Sequence, residues 1–464
     1  MCCLSQLTIG IDNSIVNLAL PSIRADFSAS LTELQWVIDA YQLVLGSLLL
    51  LSGALADRFG RRRVFVVGLL GFIAASVLCS AAPTVGTLIA SRVLQGAFGA
   101  LLNPVAISIV AEAYPDPKRR AGAFGAWSSV YGASLALGPL LGGVLVGPFG
   151  WRAVFLAPLP LCIAAIAATP VVIPAFAAHR DRRMDIPGQI LATAALGTLL
   201  FCVIEGASRG WMAVPLLTSA SLGAVVGVAF ILRERRAPAP LLELRLFRSR
   251  ALSPGLGISV IGLATTAGFL FLTGLQLQVV RGFSPLQTAL CLLPVAAATI
   301  VLAPIAGRLT AQRGPRTPLV TAGIGFMAGS GLLILSTPTG PLPLLLLAYL
   351  CFGIGFGMVN APITTVVVAG LPRSRVGVAS ALSSTARQVG QAVGVAVLGA
   401  VATIAADGTV QQGLGTSAST AWTITGIGGV LITLLAIAAT TRNRSSARTG
   451  LGHPGTNEDA AGRP

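Results

Sequence analysis

Gly53-Ala-Leu-Ala-Asp57-Arg58-Phe-Gly60-Arg61-Arg62-Arg63 is a short charged stretch with a long apolar run on each side. So brief a connection between such apolar runs reads as a tight turn joining two membrane-crossing helices. Gly60 suits a sharp turn that other residues resist. Gly53 carries no side chain, so a second helix can come close to it. Asp57 is an acid among arginines at a helix end, where it can accept charge-assisted hydrogen bonds. With Arg58 and Arg61, and with Glu112 at the end of a later apolar run, it makes a candidate latch. Such a latch closes in one conformation and breaks in another.

Outward from this turn the chain keeps the same character. Of its 464 residues, 54% are hydrophobic and only 10% are charged, with 54 glycines and 28 prolines. A soluble chain of this length needs a far more charged surface, and Gly and Pro are commoner in membrane helices. Runs of about 20 apolar residues cross a bilayer core of about 30 Å. Such runs lie near 2–22, 36–56, 64–82, 86–112, 121–147 and 153–173. Two more lie near 186–206 and 213–232, and six more near 251–277, 285–307, 317–336, 341–370, 377–403 and 418–440. The expectation is an all-α integral membrane protein with fourteen helices. From Thr441 the chain is polar and reads as a disordered tail over 441–464. The start has no basic n-region and no small-residue cleavage site, so no cleavable leader is expected.

The basic residues set an orientation. If the N-terminus is cytoplasmic and the helices alternate, the outer loops hold Arg24, Arg152, Arg209 and Arg281. Arg92 and Arg387 lie within helices, and the rest of the 31 Arg and Lys fall on inner loops and the tail. That asymmetry is the positive-inside pattern, and it puts both termini in the cytoplasm. It also accounts for the net charge of +16 without a nucleic-acid partner, since no aromatic residues interleave with the basic clusters as stacking platforms.

The chain repeats itself. Pro117-Lys-Arg-Arg-Ala-Gly122 matches Pro372-Arg-Ser-Arg-Val-Gly377. Gly53-Ala-Leu55 with Gly60 matches Gly307-Arg-Leu309 with Gly314, and Phe98-Gly99 with Pro104 matches Phe356-Gly357 with Pro362. The three pairs have nearly equal spacing, which implies two related halves. Many secondary transporters are built this way, with the substrate site between the halves. The expected organisation is one bundle over 1–173, an inserted pair over 186–234 and a second bundle over 250–440.

These segments together resemble the major facilitator superfamily. The spacing G-x-L-x-D-R-x-G-R-R from Gly53 to Arg62 looks like its signature loop. Leu88-Ile-Ala-Ser-Arg92-Val-Leu-Gln95-Gly96-Ala-Phe-Gly99 resembles its fourth-helix motif with a buried arginine. Gly132-Ala-Ser-Leu-Ala-Leu-Gly138-Pro139-Leu-Leu-Gly142-Gly143 resembles the fifth-helix motif of its antiporters. Asp12-Asn-Ser-Ile-Val-Asn17-Leu-Ala-Leu-Pro21 resembles the first-helix motif of drug:proton antiporters. Trp36-Val-Ile-Asp39-Ala-Tyr41 and Arg387-Gln-Val-Gly-Gln-Ala-Val-Gly394 look like the fourteen-helix EmrB/QacA branch. The resemblance implies two six-helix bundles, two inserted helices and a mid-membrane cavity between the bundles. It departs from the family in two places. Met1 practically begins the first helix, where relatives carry a stretch before it, and Ala311 stands where Asp57 stands in the first half.

The chemistry follows from charges at depth. An ionised Asp near the middle of a membrane helix costs roughly 2.5–3.5 kcal/mol on insertion scales. Asp12 lies about halfway along the first helix, so it is a candidate for carrying a proton or a cationic substrate in turn. Structural hydrogen bonding to a neighbouring helix is the plain alternative. Arg92 needs an acceptor, and Asp12 and helix carbonyls are the candidates. Asp39 and Glu205 are placed near outer helix ends, where snorkelling lowers their cost. The resemblance points Asp39 toward cationic substrates. Glu205 and Asn17 are weaker candidates, and Arg387 is mid-helix and a candidate to face the cavity. Pro139 among Gly132, Gly138, Gly142 and Gly143 is a backbone device for a kinked, closely packed helix.

Other function classes find no support. The lone Lys118 sits in no phosphate loop of the GxxxxGK[ST] type. The histidines are His179 and His453, in a loop and the tail, so no His-based catalytic or metal site is expected. The seven cysteines show no CxxC spacing. No enzyme activity, cofactor or metal is expected. The reading is a monomeric, multi-pass transporter of the cytoplasmic membrane that uses the proton gradient to export a lipophilic, cationic or amphipathic small molecule. An uptake symporter and a non-transporting sensor are the alternatives.

Overall fold

The structure, a computed structural model, describes residues 1–113, 130, 133–134, 137–172, 185–237, 252–336, 340–369, 376–404, 414 and 418–449. Gly132 and the repeated loop segments 117–122 and 372–375 lie outside the described residues. Among the described residues the regular elements are helices: α1 (Cys2–Phe27), α2 (Leu31–Phe59), α3 (Arg61–Ser80), α4 (Val85–Ala100) and α5 (Asn103–Ala113). Next come α6 (Leu137–Phe149), α7 (Ala153–Leu156), α8 (Leu159–Val172), α9 (Ile186–Arg209) and α10 (Val214–Arg236). The remainder are α11 (Leu252–Leu275), α12 (Pro285–Cys291), α13 (Leu293–Arg313), α14 (Arg316–Leu335), α15 (Leu342–Ala369), α16 (Val376–Ile404) and α17 (Ala418–Thr449).

Eleven helical stretches among the described residues are long and apolar enough to cross a membrane. The sequence reading places fourteen. The difference falls on α1, α2 and α6. At 26 residues, α1 is long enough, but it buries polar Gln6, Asp12 and Asn17. The 29 residues of α2 are also enough to cross, and its run 37–54 is apolar with Asp39 as its one charged residue, but parts of that run lie outside the described side chains. α6 is the described part of the span expected over 121–147. Prolines explain where single expected spans break. Pro104, Pro158 and Pro294 each stand at the first turn of a helix or just before it, where a missing N–H costs nothing, and the breaks follow α4, α7 and α12. At the other terminus α17 ends at Thr449, and most of the tail expected over 441–464 lies outside the described residues.

The two halves repeat in space. α4 packs on α2 and α3, and α8 packs on α1 and α3. In the second half α15 packs on α13 and α14, and α17 packs on α11 and α14. The turn at Gly60 recurs at Gly314, with φ of +91° and +84°, a conformation that L side chains resist. Glycines also bring the same pair of helices together in each half. Gly142 lies on Ile15 between α6 and α1, and Gly390 lies on the Val260 backbone between α16 and α11. The halves then meet along α2–α16 and α1–α11. α9 packs on α2 and α16 across that seam, and α10 packs on α9.

Candidate functional site

Four helices of the first half converge on one buried polar cluster. Asp12 on α1 is 0% exposed and Arg92 on α4 is 1% exposed. Nη1 of Arg92 donates to Asp12 Oδ2 at 2.8 Å and to Gln95 Oε1 at 2.6 Å. Arg92 Nε donates to the Val37 carbonyl of α2 at 3.0 Å. Its guanidinium lies 4.1 Å from the centroid of the Tyr41 ring, also on α2, a favourable cation–π placement. Gln95 Nε2 donates to Asp12 Oδ1 at 3.0 Å and to Ser76 Oγ of α3 at 2.9 Å. Both oxygens of Asp12 therefore have donors, and the charge on Arg92 has an acid, an amide and a carbonyl. The sequence reading found Asp12 and Arg92 but assigned nothing to Gln95, Ser76 or Tyr41. The spacing of Gln95, three residues past Arg92 on one helix face, was the available signal.

Asp39 differs. It is 0% exposed, and neither of its carboxylate oxygens has a hydrogen-bond partner among the described residues. The expectation of a snorkelling position near a helix end is corrected here. α2 begins at Leu31 under a Ser30–Glu33 capping box, so Asp39 sits two turns inside. At 100° per residue, Asp39 shares a helix face with Gln35, Gln42 and Gly46. That face meets α16: Gln35 Nε2 donates to the Ala396 carbonyl at 3.0 Å, and Gly46 lies against Gln388. Asp39 thus stands at the seam between the halves. An ionised carboxylate there lacks any donor, a costly state that a proton or a cation relieves.

A central cavity lies beside this seam. Two lobes share Thr266, Leu270 and Phe356. One lobe is lined by Asn13, Asn17, Gln42 and Gln391, the other by Pro139, Leu140, Leu292 and Thr299. The walls are apolar with amides and hydroxyls, as ligand cavities tend to be. Asn17 thus reaches the cavity, and Gln42 donates to Asn13 Oδ1 at 3.2 Å. Arg387 is half-buried on α16 and donates to Asn360 Oδ1 at 2.6 Å. Asn360 in turn lies one helical turn from Phe356, to whose carbonyl it donates.

The cavity is bounded at the end of the bundle that carries the Ser28 turn. There Gln278 Nε2 donates to the Leu18 carbonyl at 3.1 Å. Gly143 lies against the backbone of Pro285 and Leu286, where a Cβ would sit 3.0 Å from the Pro285 carbonyl. Gly138 packs on Ser14, and a Cβ there would meet the Ile11 carbonyl at 3.1 Å. The antiporter-like residues Gly138, Pro139, Gly142 and Gly143 are thus the surfaces by which α6 touches α1, α12 and the cavity.

The other sequence candidates fall elsewhere. Glu205 accepts from Trp36 Nε1 at 3.1 Å and pairs with Arg209 at 2.6 Å, so it fastens α9 to α2. In the charged turn Gly60 takes the positive φ that was expected, while Arg58 and Arg61 frame the turn. Arg58 is exposed, with its guanidinium 5.6 Å from the Phe59 ring centroid. Gly53 brings no second described helix close in this conformation, since nothing among the described residues lies within 4 Å of where its Cβ would be. The side chains of Asp57 and Glu112 lie outside the described residues.

The chain resembles known proteins along most of its length. Residues 2–395 match the family model described as Major Facilitator Superfamily. Multidrug resistance protein Stp of Mycobacterium tuberculosis is 34% identical over 86% of this chain and 74% of its own. The tetracenomycin C resistance and export protein of Streptomyces glaucescens is 36% identical over 85% of this chain and 73% of its own. The multidrug efflux pump LfrA of Mycolicibacterium smegmatis is 31% identical over 86% and 79%. Among solved structures, a peptide transporter in complex with sulfate superposes with a TM-score of 0.67 at 18% identity, covering 96% of this chain and 94% of its own.

Proposed function

The chain belongs to the Major Facilitator Superfamily, and we propose that within it the protein is a proton-coupled antiporter that exports lipophilic drugs or antibiotics, cationic or amphipathic, from the cell. It is a multi-pass protein of the cell membrane and a transporter, not an enzyme. Relatives named for multidrug resistance, antibiotic export and efflux support the direction and the substrate class. The reading takes fourteen crossings with both termini cytoplasmic, as in the EmrB/QacA branch, and a monomer of two six-helix bundles with α9 and α10 inserted. In that orientation the contacts at the Ser28 end seal the outside, and the cavity loads from within.

The observation that carries the reading is Asp39, a carboxylate shut between the halves with no hydrogen-bond partner among the described residues. When the halves part, water and substrate reach it; when they close, it is left without a donor. A proton and a cation are alternative ways to relieve it, and such competition is the simplest form of exchange. Asp12 and Arg92 are already matched to each other, so they hold α1, α2 and α4 in place and keep the coupling face aligned. Arg387 is held by Asn360, one helical turn from the cavity-lining Phe356. The turn from Gly53 to Arg63 acts as the latch at the opposite end, with Asp57 and Glu112 as its acceptors. No cofactor is required, because the proton gradient supplies about 2.3 kcal/mol per charge per 100 mV before the pH term.

Inverted membrane vesicles with a pH-gradient dye test this. Adding lipophilic cations and antibiotics should dissipate the gradient only when the protein is present. If no compound produces proton efflux while binding is detectable, the antiport reading fails.

A further inference from the structure

Three amides meet at the wall of the central cavity, and their hydrogen-bonding capacity is not used up. Asn13 and Asn17 stand one turn apart on α1, and Gln42 lines the same lobe from α2. Gln42 Nε2 donates to Asn13 Oδ1 at 3.2 Å. That bond leaves Asn13 Nδ2 and Gln42 Oε1 buried with no partner among the described residues. Asn17 Nδ2 donates to the Asn13 and Ser14 carbonyls of its own helix at 3.3 and 3.4 Å. Asn17 Oδ1 is then a further buried acceptor with no partner among the described residues. Buried polar groups are costly to leave unmatched, so each of these is a place where a ligand gains by bonding.

The pattern does not depend on which way the paired amides are turned. Each carboxamide carries one carbonyl and one NH2. Turning both over makes Asn13 the donor and Gln42 the acceptor, and one N–H and one carbonyl are still left over. Asn17 has carbonyls for partners, which only its NH2 can serve, so its oxygen stays available. The wall around the amides is apolar, with Ile38, Leu263 and Phe356. None of the described residues that line either lobe is charged. Asp39 precedes Gln42 by about one turn of α2.

We infer that Asn13, Asn17 and Gln42 form the recognition edge of the cavity, and that the exported compound is a largely apolar body whose rim carries a carbonyl beside an N–H or O–H, as in a cyclic lactam. The inference rests on the exporter reading and narrows its substrate class. The ligand carbonyl accepts from the NH2 that the Asn13–Gln42 pair leaves over. The ligand N–H or O–H donates to the remaining carbonyl of the pair or to Asn17 Oδ1. A site built to hydrogen-bond its ligand rejects an analogue without the group, because its own buried groups then stay unpaired. Asp39 keeps the proton exchange, and the edge decides which compound is carried.

Equilibrium binding to the full-length protein in lipid nanodiscs tests the edge, with empty nanodiscs subtracted for partition into lipid. The probes are phenanthridinone, a flat lactam, and the benzocoumarin lactone of the same shape, in which a ring oxygen replaces the N–H. The wild type should bind the lactam at least about tenfold more tightly than the lactone. The triple variant Asn13→Leu, Asn17→Leu, Gln42→Leu should bind the two alike. Removing the amides together leaves none of them unmatched, and an unchanged melting temperature would show that the variant is folded. The comparison of the two probes on the wild type needs no variant. Equal binding of lactam and lactone by the wild type, or binding of neither, overturns the inference, and so does a preference that persists in the folded triple variant. Binding needs neither a gradient nor turnover, so a protein that prefers the lactam through these amides yet moves no protons contradicts the exporter reading and leaves the edge standing.

Discussion

Arg92 on α4 donates to Asp12 on α1 across 2.8 Å, with both side chains closed off from solvent. Two turns inside the neighbouring α2, Asp39 is equally buried and has no donor among the described residues. The contrast divides the buried acids of the first half into one that holds the bundle together and one that is available to a proton.

Breaking the matched pair should show mainly in stability. Asp12→Ala leaves a buried guanidinium uncompensated, which typically costs about 3–5 kcal/mol. The melting temperature in detergent should fall well below that of the wild type. The double variant Asp12→Asn with Arg92→Gln should recover part of the loss, because paired residues are not additive. A double variant as unstable as the sum of its single variants would show that the two residues act independently.

Asp39→Asn should behave in the opposite way. It removes a charge that has no partner and keeps the shape, so the melting temperature should hold or rise. Marked destabilisation would mean that the carboxylate has a structural role that the geometry does not reveal.

Gly53 and Gly60 separate two uses of glycine in one turn. Gly60→Ala places a side chain at φ +91° and should cost about 1–3 kcal/mol in strain. Gly53→Ala meets open space and should hold or gain up to about 1 kcal/mol from helix propensity. If Gly53→Ala is stable but transports poorly, α2 comes close to another helix at that point in a second conformation, which is the role its sequence suggests.

Two acids at the ends of the bundle set the response to pH. A hydrogen bond from Trp151, and then one from Arg152, hold the Asp26 carboxyl below its usual range. At Asp185, burial pushes the carboxyl up, but hydrogen bonds from Arg233 and the Gly188 N–H outweigh it, and the net shift is downward. Both groups stabilise the fold fully above the ordinary carboxylate value of about 4, and that contribution is lost as pH falls through the lower folded values. The stability advantage of the wild type over Asp185→Asn should stay constant from about pH 7 to 5 and shrink below about pH 4. Thermal melts across that range would check it, and an advantage that grows on acidification would contradict it.

Much of the architecture is legible in the sequence because membrane helices announce themselves by length and apolarity, and the repeated Gly60 and Gly314 turns mark the two halves. What stays hidden is hidden for physical reasons. Ser76 and Tyr41 are neutral and occur in helices of every kind, so nothing in the sequence distinguishes them from fillers, and Gln95 is marked only by its spacing from Arg92 on one helix face. The depth of Asp39 depends on where α2 begins, and the Ser30–Glu33 cap moves that start outward from the apolar run. The amide edge of Asn13, Asn17 and Gln42 needs two helices in their final positions, which periodicity within either of them cannot supply.

The central claim is that Asp39 exchanges its proton for substrate. Its most direct test is proton release on adding a bound compound to the purified protein in weakly buffered detergent, for the wild type and for Asp39→Asn. The wild type should acidify the solution as the compound binds, and Asp39→Asn should bind the compound and release nothing. Equal release from both proteins would place the exchangeable proton on another group and contradict the account.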